Sequence, residues 1–318
     1  FALYISFFPQ LVAGPIERAT NLLPQVEQPR VMTHERTREA SWLILWGLFK
    51  KVVIADNLAP ITDAVFTGQT PLTAPYVLIG LYAFAFQIYG DFSGYSDMAR
   101  GLARLMGFDL MLNFNNPYFA RNPSACWRRW HISLSTWLRD YLYIPLGGNR
   151  KGPRRTYINL AATMLLGGLW HGAAWTFVAW GAYQGLLLAV HRAWAGEARR
   201  QNVSTAAWRQ VLCVVGMFHL ACLGWLFFRA TSLSQVGQML LALGDWGTWS
   251  WAHVSPWITL VVLCAPLWFV QWFQEKSGDS LAPMKLSLLP RTLLLAVVVL
   301  MLWTLGNTGS RAFIYFQF

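Results

Sequence analysis

Two histidines sit where an imidazole has chemistry to do. His171 lies near the middle of Tyr157–Val190, 34 residues without a formally charged side chain. Ionisable groups in so apolar a stretch are rare and costly, and they usually line a cavity. Away from water an imidazole favours its neutral form. A neutral imidazole can take a proton from a hydroxyl as a general base. The alternative is a core histidine bonded to a backbone carbonyl, and these residues alone leave the two readings open. His131 falls within Trp127-Arg-Arg-Trp-His-Ile-Ser-Leu-Ser-Thr-Trp137, crowded by arginines and aromatics. It reads as a second polar group at the mouth of the same cavity, as a binder of a donor, or as an interfacial histidine in an aromatic belt. Its own neighbours favour the last.

Other reactive residues form no such grouping. Asp91 and Asp97 are spaced i, i+6, off a common helical face, and Asp91 is expected to cap or pair inside the membrane. His191, His219 and His253 lack partner spacing and read as structural or interfacial. Cys126, Cys213, Cys222 and Cys264 show no CxxC or zinc spacing, so neither a disulfide nor a metal site is expected. Nucleophile-elbow, P-loop, dinucleotide and zinc-protease signatures are all missing from the sequence.

The elements that must position the histidines are membrane helices. The 318 residues are 55% apolar and 12% charged, about half the charged share of a soluble domain, ~25%. Such a chain cannot cover its surface with polar groups, so lipid is its expected solvent. The net charge of +11 resides between apolar runs, as in cytoplasmic loops under the positive-inside rule. Nucleic-acid binding is not expected, since no motif for it is visible. Residues 121 to 155 hold eight Lys and Arg against Asp140 alone. This segment reads as interfacial or re-entrant on the cytoplasmic face.

Along the chain, Pro9, Gly14 and Pro15 break the opening apolar run, and residues 17 to 39 read as an extramembrane connection. Ser41–Phe49 is short for a span unless the helix tilts and Lys50 and Lys51 snorkel. Gly90-Asp-Phe-Ser-Gly-Tyr-Ser-Asp97 predicts a break in the helix that begins at Ala74. One straight helix over Tyr157–Val190 would be ~51 Å long, against a hydrocarbon core of ~30 Å. The glycines of Gly167-Gly-Leu-Trp-His-Gly172 therefore predict a break into two segments, with His171 near the membrane midplane. Further spans are predicted at Val211–Phe228, Pro256–Phe273 and Thr292–Ser310, with a short interfacial helix at Ser232–Leu243. The chain opens on Phe1, inside an apolar run without a signal-peptide pattern. It is expected to be a fragment that has lost preceding membrane helices.

Several motifs together resemble a known family. Phe7-Phe-Pro-Gln-Leu-Val-Ala-Gly-Pro-Ile-Glu-Arg18, Asp91-Phe-Ser-Gly-Tyr-Ser-Asp-Met-Ala-Arg100, Asn113-Phe-Asn-Asn-Pro-Tyr118, Trp127 through Arg150 and Gly168-Leu-Trp-His-Gly-Ala173 occur in order. They resemble the alginate O-acetyltransferase branch of the membrane-bound O-acyltransferase (MBOAT) superfamily. The likeness covers about residues 1 to 190; beyond that only the apolar spans correspond.

The resemblance implies an all-α, polytopic protein of the inner membrane. A single MBOAT domain over residues 1–318 would surround a central tunnel with re-entrant or interfacial helices. It implies acyl transfer, most simply of acetyl, from a cytoplasmic thioester such as acetyl-CoA to a carbohydrate hydroxyl, with no bound cofactor. The acceptor would be a polysaccharide or a periplasmic acetyltransferase partner protein. His171 takes the place of the family's catalytic histidine and His131 that of its second motif histidine. Arg128, Arg129 and Arg150 are candidates to hold donor phosphates, against a plain positive-inside role. A transporter or channel for the donor, or a structural scaffold, are the competing classes.

Overall fold

A computed structural model describes residues 2–198, 206–247, 251–307, 309 and 311–314. In chain order the helices are α1 (Ala2–Ser6), α2 (Ala19–Glu27), α3 (His34–Leu48), α4 (Asp56–Phe66), α5 (Ala74–Leu105), α6 (Pro123–Trp127), α7 (Ile132–Leu138), α8 (Gly152–His171), α9 (Trp175–Ala198), α10 (Ala207–Arg229), α11 (Leu233–Ala242), α12 (Val254–Ser277) and α13 (Leu288–Leu305). No strand occurs among the described residues, and the all-α class expected from the sequence holds. α10, α12 and α13 are long and apolar enough to cross a membrane. They match the three expected spans closely. Only 6% of the apolar window of α13 is buried, so this helix must be solvated by lipid or by further protein. α11 is the expected short helix, with the Ser232 side chain accepting from the Gln235 amide.

The chain folds as two compact units. One takes the chain up to Asp63, Phe86–Asn115 and the C-terminal segment from α12; the other takes Ala64–Ala85 and Asn116 through α11.

In the first unit, α3 runs through a π-helical turn, Phe49–Ala55, into α4. The two lysines of that turn do not snorkel. Lys50 Nζ meets Asp97 at 2.7 Å and Ser93 Oγ at 2.9 Å. Lys51 Nζ meets Asp56 at 2.8 Å and Asp91 at 2.9 Å. Ammonium groups inside an apolar unit are tolerable only when paired, and the two acids expected to stand apart supply the charge. Asp91 also accepts from the Ile314 amide at 2.6 Å.

α5 is continuous through Gly90–Asp97, where a break was expected. Its glycines serve close packing instead. A Cβ at Gly94 would stand 2.7 Å from the Gly47 carbonyl, and one at Gly47 only 2.5 Å from that of Gly94. α3 and α5 thus touch backbone to backbone, the small-residue contact by which helices approach closely in lipid.

In the second unit, an apolar cluster joins Val65 and Phe66 to Val77 and Leu81 of α5, Leu226 of α10, and Val236 and Met239 of α11. α8 and α9 pair along small residues. A Cβ at Gly168 would run into the Phe177 carbonyl, and one at Gly181 into that of Met164. The long uncharged stretch is divided as expected, but after His171 rather than around it. Gly167 and Gly168 are helical, and residues 172 to 174 make the break.

Candidate functional site

His171 is the last residue of α8. Gly172 follows in an extended conformation, and a Cβ there would stand 2.5 Å from the Phe177 ring. Glycine at this step lets the chain turn back and lay the start of α9 against the histidine. The imidazole is partly exposed, within a ring of aromatics. Trp170, Trp180 and Phe228 meet it edge-on, with ring centroids at 5.0, 5.1 and 5.1 Å. Phe177 lies at 6.5 Å. A base must be reachable and poorly hydrated, and this setting offers both.

His131 is 3% exposed and lies just before α7 with φ 42° and ψ 55°. A left-handed backbone is uncommon outside glycine. Among the described residues only Asn116 (φ 45°) and His131 show it without being glycine. Such a conformation persists only where its surroundings fix it. Here Ser135 N–H donates to the His131 carbonyl at 2.9 Å, and Ser133 Oγ lies 3.4 Å from Nδ1. The imidazoles of His131 and His171 lie within electrostatic reach of each other. The structure thus brings together two histidines 40 residues apart in sequence, inside one unit.

The three candidate arginines part ways. Arg128 and Arg150 are exposed. Arg129 turns inward and donates to the Asn116 carbonyl at 3.4 Å, bracing the other left-handed residue.

A narrow pocket opens beside the histidines, lined by Tyr118, Cys126, Trp127, Trp130, Trp180, Gln184, Met217, Ala221 and Trp225. Its indoles form a continuous wall. Trp130 and Trp225 lie 4.6 Å apart, Trp127 and Trp180 5.9 Å, and Trp180 and Trp225 6.5 Å. Sequence reasoning assigned the tryptophans to an aromatic belt and missed this wall. A signal was present: Met217, Ala221, Trp225 and Phe228 recur at the i, i+4, i+8, i+11 spacing of one helical face, and all are buried.

His219 has a partner that no local spacing reveals. Tyr82 O–H donates to its Nε2 at 2.6 Å, while its Nδ1–H donates to the Val215 carbonyl at 2.8 Å. Both ring nitrogens are satisfied, which gives this histidine the structural role read from the sequence. Among the described residues, no three His, Cys, Asp or Glu side chains are placed to hold a metal ion.

The model of the MBOAT, membrane-bound O-acyltransferase family, matches residues 1–234. The chain is 46% identical to the "Probable alginate O-acetylase AlgI" of Azotobacter vinelandii over 255 residues, 80% of this chain and 50% of that protein. It is 40% identical to the "Peptidoglycan O-acetyltransferase" of Helicobacter pylori over 257 residues, 80% of this chain and 48% of the relative. The "Teichoic acid D-alanyltransferase" of Bacillus subtilis is 25% identical over 239 residues, 71% of this chain and 60% of the relative. The chain spans about half the length of the first two relatives.

Proposed function

Because the chain belongs to the membrane-bound O-acyltransferase family, we propose that it transfers an acyl group, acetyl in first place, from a thioester to a carbohydrate hydroxyl, with His171 as general base. One observation carries the assignment to His171. The imidazole ends a helix, stays reachable, and is walled by aromatic rings with His131 in electrostatic reach. His171 takes the proton of the acceptor hydroxyl as its oxygen attacks the acyl carbon, then returns it to the departing thiolate. His131, fixed by its backbone, orients donor or acceptor at the same place.

The donor is a cytoplasmic thioester such as acetyl-CoA, and Arg128, Arg129 and Arg150 are the candidates to hold its phosphates. The acceptor is an alginate-like envelope or exported polysaccharide, reached directly or through a periplasmic acetyltransferase partner. This reading sets the chain in the inner membrane. The names of the relatives, which acylate alginate, peptidoglycan and teichoic acid, support a polymer hydroxyl as the acceptor class.

The test is transfer of labelled acetyl from donor to acceptor by purified protein in liposomes, with no partner added. His171→Gln keeps hydrogen bonding but cannot act as a base. It is expected to lose at least about a hundredfold in rate, since general-base help contributes roughly 10²–10⁴-fold. A folded His171→Gln variant with near-normal turnover would remove His171 from the role of base.

A further inference from the structure

The pocket beside His171 holds two hydrogen-bond donors with nothing to donate to. The indole nitrogens of Trp180 and Trp225 are buried, and neither has an acceptor among the described residues. Trp180 is 3% exposed and Trp225 6%. Buried donors are nearly always paired, because an unmade hydrogen bond costs stability, and a buried tryptophan N–H usually finds a partner. Both rings wall the pocket. They are nearly parallel, 20° apart, and Trp180 meets His171 edge-on. Tyr118, on the same wall, already donates its hydroxyl to the Ala85 carbonyl at 2.6 Å. The apolar surroundings would strengthen any hydrogen bond formed there.

We propose that the Trp180 indole N–H, with that of Trp225 behind it, is the oxyanion donor of the acyl transfer. It binds the carbonyl oxygen of the acyl group and holds the charge this oxygen acquires. The inference rests on the acyl-transfer reading above. During attack the acceptor oxygen bonds to the carbonyl carbon, its proton passes to His171, and the C=O π pair moves onto the oxygen facing the indole. On collapse that pair re-forms the carbonyl, the C–S bond breaks, and the thiolate leaves with the proton from His171. Base and oxyanion donor must flank one carbonyl, and His171 and Trp180 are in ring contact.

The experiment replaces Trp180 with 3-benzothienylalanine, which keeps the bicyclic shape and lacks the N–H, and separately makes Trp180→Phe. Both are assayed with an acetyl thioester beside wild type, His171→Gln and Trp42→Phe. Trp42 carries another buried, unpartnered indole N–H, in the stack with Trp46 and Phe49, and its variant should turn over normally. The two Trp180 forms should lose about 10²–10³-fold in kcat, as when one oxyanion-hole donor is removed, with KM little changed. Should Trp180→Phe fail to fold, the isostere alone decides. An isostere with near wild-type kcat, or one that raises only KM, overturns the proposal if His171→Gln is inactive. If His171→Gln also turns over normally, the acyl-transfer reading itself falls.

Discussion

At the scale of single residues, the backbone of His131 is as informative as its ring. A left-handed conformation at a non-glycine residue costs on the order of 1–3 kcal/mol and persists where the surroundings over-determine it. Asparagine tolerates that conformation better than alanine does. His131→Asn should therefore fold more stably than His131→Ala, while both lose acyl transfer severely. Thermal unfolding in detergent, read beside turnover, separates the two effects. Near-normal transfer in His131→Asn would show that the backbone, and not the imidazole, is what the site needs.

At the scale of elements, two features hold α3 and α5 together. Lys51 is shared by Asp56 and Asp91, whose side chains are 7% and 5% exposed. Removing one partner of a buried pair costs about 3–5 kcal/mol, because a charge is left stranded. Lys51→Met strands two, so its unfolding temperature in detergent should fall by several degrees; an unchanged midpoint would mean that the network contributes nothing. The second feature is the Gly47–Gly94 contact. Gly94→Leu must drive side-chain atoms into backbone and should abolish recovery of folded protein. Gly216→Ala in α10, where a Cβ meets nothing within 4 Å, should be accepted and slightly raise helix stability. Monodisperse yield on size exclusion distinguishes the pair.

At the scale of the whole molecule, the charge distribution sets an expectation for topology. Residues 121 to 155 carry eight basic side chains against one acid, and Trp137 and Tyr141 are exposed among them. Lys and Arg near span ends resist translocation, and aromatic rings favour the headgroup level, so this segment should face the cytoplasm. In a background lacking Cys126, Cys213, Cys222 and Cys264, Asn149→Cys should resist a membrane-impermeant thiol reagent in intact cells and react after lysis. Ready labelling from outside would reverse the orientation. The cysteine-free background is itself expected to keep substantial activity, since no step of the proposed reaction uses a thiol.

The sequence by itself determined the all-α class, the lipid solvent, the spans now seen as α10, α12 and α13, and the division of the long uncharged stretch, because each depends on local composition and helical period. The motifs also sufficed to suggest the family. Tertiary structure decided what depends on partners distant in the chain. Whether Gly90 and Gly94 break a helix or pack it rests on Gly47 and Lys50 lying opposite. Whether Lys50 and Lys51 reach for the interface or turn inward rests on acids about 40 residues away. His131 and His171 meet only because α8 turns back at Gly172 and α7 is fixed beside it. The indole wall that flanks them draws on α6, α9 and α10, and no run of adjacent residues encodes the placing of a Trp180 N–H next to an imidazole.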